Sequence, residues 1–153
     1  MQVCCIKYDI LQQMIEFEDL LHKNNLRSTV PRQRLFMLLK NAKEPVSLNE
    51  IIKICPDIDR VTIYRIIETF IRIGITKVVH IGWKKRYELT DLFSPHHHHF
   101  RCTECHALSH ISNEALEAAI DSMSRENGFL VTSHQFEIEG LCITCRALHK
   151  QHS

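Results

Sequence analysis

The residues best suited to chemistry are two Cys-x-x-Cys pairs in the second half of the 153-residue chain. Cys102 and Cys105 form the first pair, Cys142 and Cys145 form the second, and 36 residues separate the pairs. Four thiolates supplied in this way suit the tetrahedral coordination of a structural zinc ion. A redox motif normally uses one such pair at a helix start, so a redox role is the weaker alternative. The spacing therefore predicts a structural zinc site.

Four consecutive histidines, His96 to His99, precede the first cysteine pair and form a separate store of metal ligands. If the run is extended, His97 and His99 face one side while His96 and His98 face the other. The run then supplies two half-sites back to back, unless it is simply a solvated loop. Each half-site needs further ligands, and the candidates are His110, Glu117, His134, His80 and Glu88.

Composition narrows the class of protein that carries these ligands. Hydrophobic residues make up 44% of the chain and charged residues 24%, and the formal net charge is only +1, so any nucleic-acid contact requires a local basic patch. No apolar segment approaches the ~20 residues of a membrane span, and acidic residues interrupt the N-terminal apolar segment. We expect a cytoplasmic protein without a membrane partner, in which paired cysteines bind metal. The cysteines without partner spacing are Cys4, Cys5 and Cys55.

The N-terminal part shows apolar residues at helical spacing, interrupted by capping and breaking residues. We predict helices over residues 10–24 and 32–41, a third helix capped by Ser47, and a fourth over residues 59–73. Thr29 precedes a proline in the first turn and is expected to cap the second helix, and Gly74 is expected to end the fourth.

The spacing then changes to two short β-branched or alternating segments. ITKVVHI and KRYEL, joined by Gly82-Trp83-Lys84, predict a hairpin. Helices followed by a hairpin are typical of a winged helix-turn-helix, whose last helix enters the major groove of DNA while the hairpin contacts the backbone. The wing carries Lys77, Lys84, Lys85 and Arg86, and the last helix offers Arg60, Thr62, Tyr64 and Arg65. Ordinary solvated charges are the alternative interpretation.

The remaining chain predicts a small second domain. Short strands are expected around the first cysteine pair, a helix over residues 113–127, and one or two strands over residues 129–142. We therefore expect an α+β protein with a winged-helix DNA-binding domain over residues 1–90, a hinge over residues 91–95 and an α/β metal-binding domain over residues 96–153. A structural zinc would help so small a domain to hold together.

In sequence, these segments resemble the ferric uptake regulator family of dimeric, winged-helix, metal-sensing repressors. The resemblance spans nearly the whole chain. LRSTVPRQRLF is similar to the family's second helix, with Arg27, Thr29 and Arg32 at matching places. VTIYRIIETFIRIGI resembles the recognition helix and places Tyr64 and Arg65 at the DNA-reading positions. RYEL, HHHHFRCTEC and HQFEIEGLCITC follow in the family's order, which implies that the second domain is a dimerisation domain.

The resemblance also assigns the histidines to two sites. It implies a hinge-side sensory site made of Glu88, His97, His99 and His110. It implies a second site within the dimerisation domain made of His96, His98, Glu117 and His134. The hinge is longer than in iron-sensing members, so His80 could replace Glu88 in the sensory site.

The ligand types bear on which metal is sensed. His98 and His110 stand where the family commonly has carboxylates, and Pro45 stands where iron-sensing members often have a histidine. Imidazole suits zinc and nickel better than manganese, so we expect zinc as the effector, then iron, then nickel or manganese.

The expected function follows from the resemblance and the ligands together. We expect a metal-responsive repressor that binds a palindromic double-stranded operator as a homodimer. An iron-sensing or peroxide-sensing regulator of the same family is the first alternative. A zinc hydrolase is the second, but the chain has neither a His-Glu-x-x-His helix nor a deaminase His-x-Glu signature, so we do not expect an enzyme.

Overall fold

Helices dominate the first part of the chain and a small sheet dominates the second. The computed structural model describes residues 2–151, and the side chains of residues 11–149. The chain divides after Pro95 into two units, Met1–Pro95 and His96–Ser153. The side chains of Cys4 and Cys5 lie outside the described residues. Within the described part of the chain, every helix is too short or too polar to span a membrane.

Four helices precede the wing. They are α1 Gln2–Lys23, α2 Val30–Asn41, α3 Leu48–Ile54 and α4 Arg60–Arg72. The first helix therefore begins well before the predicted residue 10, whereas the other three agree closely with the predicted ranges. Capping explains the sharp starts of two of them. Ser47 and Glu50 form a reciprocal capping box at α3, and the Asp59 carboxylate accepts a hydrogen bond from the Thr62 N–H at 3.0 Å at α4.

Three phenylalanines from different helices form the centre of the first unit. Phe17 of α1 stacks on Phe36 of α2 with ring centroids 4.4 Å apart, and it meets Phe70 of α4 edge-on at 5.7 Å. All three rings are fully buried. The core therefore fixes the orientation of α4, because its buried face (Ile63, Ile66, Ile67 and Phe70) can pack in only one rotation.

The wing is an antiparallel hairpin of β1 Thr76–Ile81 and β2 Lys84–Leu89. Gly74 ends the preceding helical segment with φ +79°, a conformation that favours glycine. Val46 and Tyr87 exchange two backbone hydrogen bonds of 2.9 and 2.8 Å, which attach β2 to the segment between α2 and α3.

The second unit contains a three-stranded sheet and two helices. They are β3 His98–Cys102, β4 Leu108–Ile111, α5 Glu114–Glu126, β5 Glu137–Gly140 and α6 Ile143–Gln151. The strand order is β4-β3-β5, with β4 antiparallel and β5 parallel to the central β3.

One predicted element of this unit is shorter than expected, and one helix was not predicted. The strand expected over residues 129–142 is confined to Glu137–Gly140, because its ladder with β3 begins at the pair His99 and Glu137 and residues 129–136 precede that ladder. The final helix α6 was not predicted from the sequence, since the segment that follows the second cysteine pair is short and has no strong N-terminal cap.

Candidate metal centres and DNA-binding surface

Four cysteine side chains converge where the end of β3 meets the start of α6. Cys102, Cys105, Cys142 and Cys145 place their sulfur atoms within 4.8 Å of one another, and Cys105 Sγ lies 3.8 Å from Cys142 Sγ. Zinc–sulfur bonds of ~2.3 Å in a tetrahedron put the sulfurs ~3.8 Å apart, whereas a disulfide joins them at ~2.05 Å. None of the four is in a disulfide. The arrangement fits a tetrahedral zinc ion.

Backbone N–H groups point at two of these sulfurs. The Cys142 N–H donates to Cys102 Sγ at 3.3 Å and lowers the pKa of Cys102 to about 6. The Cys145 N–H donates to Cys142 Sγ at 3.5 Å, and this hydrogen bond lowers the pKa of Cys142. The Cys145 thiol itself shares a side-chain hydrogen bond with Cys142, which raises the pKa of Cys145 to about 12. Thiolates are the metal-binding form, and four of them this close together need a cation to offset their mutual repulsion.

A second cluster joins the start of β3 to α5. His96, His98, Glu117 and His134 place their ligand atoms within 4.8 Å of one another. His98 Nε2 lies 2.8 Å from Glu117 Oε1, His134 Nε2 lies 3.0 Å from Glu117 Oε2, and the Nε2 atoms of His96 and His134 are 3.0 Å apart. Tetrahedral ligands ~2.0–2.1 Å from zinc lie ~3.3 Å from one another, so a small adjustment would admit the ion.

His98 is the buried member of this cluster, with 1% of its surface exposed. Its Nε2 faces Glu117, and this hydrogen bond is the main cause of the lowered pKa of the Glu117 carboxyl. Its Nδ1 is buried without a hydrogen-bond partner among the described residues. Phe136 packs edge-on against the ring at 5.5 Å and limits its rotation. No signal in the sequence identified Phe136, because its role depends only on proximity in space.

A third cluster consists of His97, His99 and His110, whose ligand atoms also lie within 4.8 Å of one another. The register of β3 and β4 pairs His99 directly with His110, and directly paired residues point to the same face of a sheet. The His97 ring stacks on His110 with centroids 4.6 Å apart. All three donors are therefore imidazole nitrogens, and the tetrahistidine run divides between two clusters.

The residues proposed to complete the sensory site from the first unit lie on the wing. The β1–β2 register pairs Lys77 with Glu88 and His80 with Lys85. His80 is three positions from Lys77, so His80 and Glu88 face opposite sides of the hairpin. Glu88 is nearly buried, with Lys77 Nζ 3.4 Å from its Oε1, whereas His80 is exposed. The two candidate ligands therefore differ in burial as well as in the face of the wing on which they lie.

The exposed face of α4 carries the residues expected to read DNA. Arg65 and Tyr64 are exposed, and the Arg60 guanidinium donates to the Tyr64 hydroxyl at 3.3 Å and lies over its ring. The Thr62 hydroxyl is instead hydrogen-bonded to the Asp59 carboxylate that caps the helix. Thr62 thus stabilises the start of α4, a contact that its place in the sequence did not reveal.

The predicted contacts before and within α2 differ in exposure. Arg27 and Thr29 are exposed, and Thr29 stands at the N-cap position without a side-chain capping bond. Arg32 is half-buried, and one of its guanidinium nitrogens donates to the Arg27 carbonyl at 2.6 Å. Arg32 therefore braces the segment that presents Arg27 and Thr29.

The four wing cations divide into two pairs. Lys77 Nζ donates to Asp91 at 2.8 Å, and Arg86 donates to the Pro45 carbonyl at 2.8 Å and to Glu50 at 3.3 Å. Lys84 and Lys85 are exposed and form no ion pair with any carboxylate among the described side chains. Lys85 Nζ lies over the Tyr87 ring, 5.6 Å from its centroid, a contact that leaves its positive charge unneutralised. These two lysines are consequently the wing cations best placed for an external anion.

The first unit has an exposed basic helix and a wing, and the second has three clusters of metal ligands. Together they define a metal-binding winged-helix protein. Comparison with known proteins shows which family it resembles. The sequence matches the ferric uptake regulator family over residues 23–139. The ferric uptake regulation protein of Neisseria gonorrhoeae is 31% identical over 137 residues, covering 86% of this chain and 94% of that protein. The corresponding protein of Campylobacter jejuni is 28% identical over 147 residues, covering 92% and 91%.

The fold agrees with this match. The ferric uptake regulator of Helicobacter pylori aligns with a TM-score of 0.69 at 17% identity, covering 92% of this chain and 93% of that chain. A zinc uptake regulator complexed with zinc and DNA aligns with a TM-score of 0.60 at 21% identity, covering 92% and 97%. The chain belongs to the ferric uptake regulator family, as the sequence predicted. It is therefore a metal-responsive, DNA-binding transcriptional regulator and not an enzyme, which excludes the zinc hydrolase.

Proposed function

We propose that this regulator senses zinc and that its zinc-bound homodimer represses transcription in the cytoplasm by binding a palindromic operator. The observation that carries the proposal is the donor set of the two histidine clusters. His97, His99 and His110 supply only imidazole nitrogens, and the other cluster supplies three imidazoles and a single carboxylate, Glu117.

This donor set discriminates between metals by ligand softness and charge. Imidazole suits zinc, copper, iron and nickel, whereas carboxylate and water suit manganese and magnesium. At two positions where the family commonly has carboxylates this chain has His98 and His110, which lowers the negative charge of both clusters and favours a metal that accepts mostly imidazole ligands with one carboxylate. Zinc meets this requirement because it accepts tetrahedral nitrogen coordination without a preference imposed by its d electrons.

The proposed response to zinc is a shift between conformational states. The resemblance to the family suggests that Glu88 of the DNA-binding domain joins His97, His99 and His110 when the metal binds. Zinc would then favour the one arrangement of the two domains that supplies all four ligands. A coupling of ~1–3 kcal/mol, typical of allosteric proteins, would change DNA affinity by roughly 5–150-fold.

Exposed apolar side chains support the homodimer. The second unit leaves Phe129, Leu130 and Ile143 largely exposed, with Leu130 at 88%. Apolar residues concentrated on so small a unit are typical of a protein–protein interface. Two copies related by a two-fold axis would present two α4 helices to successive major grooves, which is the reason to expect a palindromic operator.

The test is DNA binding titrated against buffered free zinc and buffered free ferrous iron. We expect binding to switch on at far lower free zinc. Zinc binds most nitrogen sites more tightly than iron does, so the matched control is His110→Glu, which restores a carboxylate. In this variant, the free zinc and free ferrous iron concentrations at which DNA binding switches on should lie closer together. Switching at lower free ferrous iron in the wild-type protein would contradict the zinc assignment.

Iron sensing is the second candidate, and the names of the relatives favour it. The similar proteins of Neisseria gonorrhoeae and Campylobacter jejuni are both ferric uptake regulation proteins. In that case His110→Glu should leave the iron response intact and the wild-type protein should not respond to zinc in the physiological range. The same titration therefore separates the two candidates.

A further inference from the structure

The tip of the wing carries an aromatic side chain that the fold does not use. Ile81 pairs with Lys84, so the hairpin turn consists of Gly82 and Trp83 alone. The Trp83 side chain is fully exposed, at 104% of its reference area. It is also the only tryptophan in the chain. Nothing in the core of the first unit depends on it.

The geometry of the turn explains Gly82 but not Trp83. Gly82 has φ +57°, the left-handed conformation expected at the first central position of a type II′ hairpin turn. The second central position makes no comparable demand, and small polar residues usually occupy tight turns. A single exposed apolar side chain is common and indicates nothing by itself. Tryptophan, however, is enriched at contact surfaces because its ring combines a large apolar area with an N–H donor, and Trp83 lies at the tip of the wing beside two exposed lysines.

The charges next to Trp83 indicate the chemistry of its partner. Lys84 and Lys85 follow it directly, and both are exposed without a carboxylate ion pair among the described side chains. The nearest wing carboxylate, Glu88, lies further along β2 beside Lys77. Lys85 Nζ lies 5.6 Å from the centroid of the Tyr87 ring, a contact that leaves its charge unneutralised. An exposed indole followed by two such ammonium groups matches a polyanion that also offers apolar edges. Duplex DNA is such a partner, with phosphates beside the sugar and base edges of its minor groove.

We propose that Trp83 is a DNA-contacting residue that inserts its indole at the minor groove beside the major groove read by α4, while Lys84 and Lys85 contact the flanking phosphates. The proposal rests on DNA binding by this regulator. Apolar wedges in the minor groove widen it and partly unstack a base step, so the contact would favour operators with easily deformed flanking steps. Trp83 would thereby add specificity beyond that of the recognition helix.

The first test compares substitutions at the wing tip by DNA affinity. The probe is a duplex enriched from a random-sequence library by the zinc-loaded wild-type protein. Trp83→Ala should weaken binding about tenfold, as the loss of one aromatic contact to nucleic acid does, whereas Trp83→Phe should retain most of the affinity. The matched control is Leu11→Ala on α1, another exposed apolar residue (61%), which should change nothing.

Salt dependence separates the indole from its charged neighbours. Trp83 carries no charge, so Trp83→Ala should lower the affinity at every salt concentration without changing the slope of log affinity against log salt. Lys84→Ala should reduce that slope by about one, because each neutralised phosphate releases counterions. Thermal stability should be equal in all these proteins, since neither side chain packs in the core.

The second test uses the intrinsic fluorescence of the wild-type protein, which reports on the wing tip alone because Trp83 is the sole tryptophan. Addition of the enriched duplex should quench or blue-shift the emission and protect it from acrylamide. If the emission does not change on adding the duplex and Trp83→Ala binds it with full affinity, this proposal is wrong, although the regulator still binds DNA. Failure of the zinc-loaded protein to enrich any duplex would overturn both.

Discussion

The neighbouring residues His97 and His98 should respond differently to the same substitution even when no metal is present. His98 is 1% exposed and points into the cluster with Glu117, whereas His97 is only half-buried. His98→Ala would leave an empty space in the second unit where the buried ring now lies. His97→Ala would remove a ring that water already reaches.

The magnitude follows from burial. Truncating a fully buried large side chain lowers the free energy of unfolding by about 2–5 kcal/mol. Because the imidazole ring is small, we expect His98→Ala to lower it by about 2–3 kcal/mol. The lost hydrogen bond to Glu117 acts in the same direction. A substitution at a partly exposed position away from the core usually costs less than about 1 kcal/mol, and we expect this for His97→Ala.

The assay is urea unfolding of the chelator-treated proteins, followed by circular dichroism at one fixed protein concentration because an oligomer's stability depends on concentration. Zinc is then restored and DNA binding is measured. His97→Ala should lose the zinc response while it keeps its fold, whereas His98→Ala should lose stability in both conditions. Equal loss of stability in the two variants would refute the division of the histidine run into opposite faces.

Further predictions concern the thiolates and the DNA-binding surface. Cys102→Ser or Cys142→Ser should remove one tightly bound zinc and lower the unfolding temperature even without effector metal. Metal analysis and calorimetry measure the two effects, and full zinc content in either variant would contradict the structural site. Arg65→Ala should weaken binding to the enriched duplex by roughly 1–3 kcal/mol with normal metal content, whereas Lys85→Ala should weaken all duplexes about equally. If the Arg65 variant binds the duplex with unchanged affinity, a surface other than that of α4 must recognise the DNA.

Several features of this protein were determined by local sequence alone. Helical spacing of apolar residues and capping residues such as Ser47 predicted three of the four N-terminal helices closely, because both signals act within a few residues. The wing was predicted for the same reason, since alternation and the Gly82 turn are local. Two Cys-x-x-Cys pairs indicated a tetrathiolate site because few other structures require that ligand count and spacing.

The tertiary structure decided which distant residues share a cluster. The register of β3 with β4 joins His110 to His99, and the packing of α5 brings Glu117 to His98. The register of the wing places Glu88 and His80 on opposite faces of the hairpin.

Structure also decided which polar side chains are available to a partner. Thr62 is engaged in capping α4, and Arg86 is engaged by Pro45 and Glu50, while Trp83 is left free in solvent. Sequence patterns encode periodicity and turn chemistry over a few residues. Hydrogen-bond partners and side-chain burial depend instead on contacts between segments far apart in the chain, and only the folded protein fixes those.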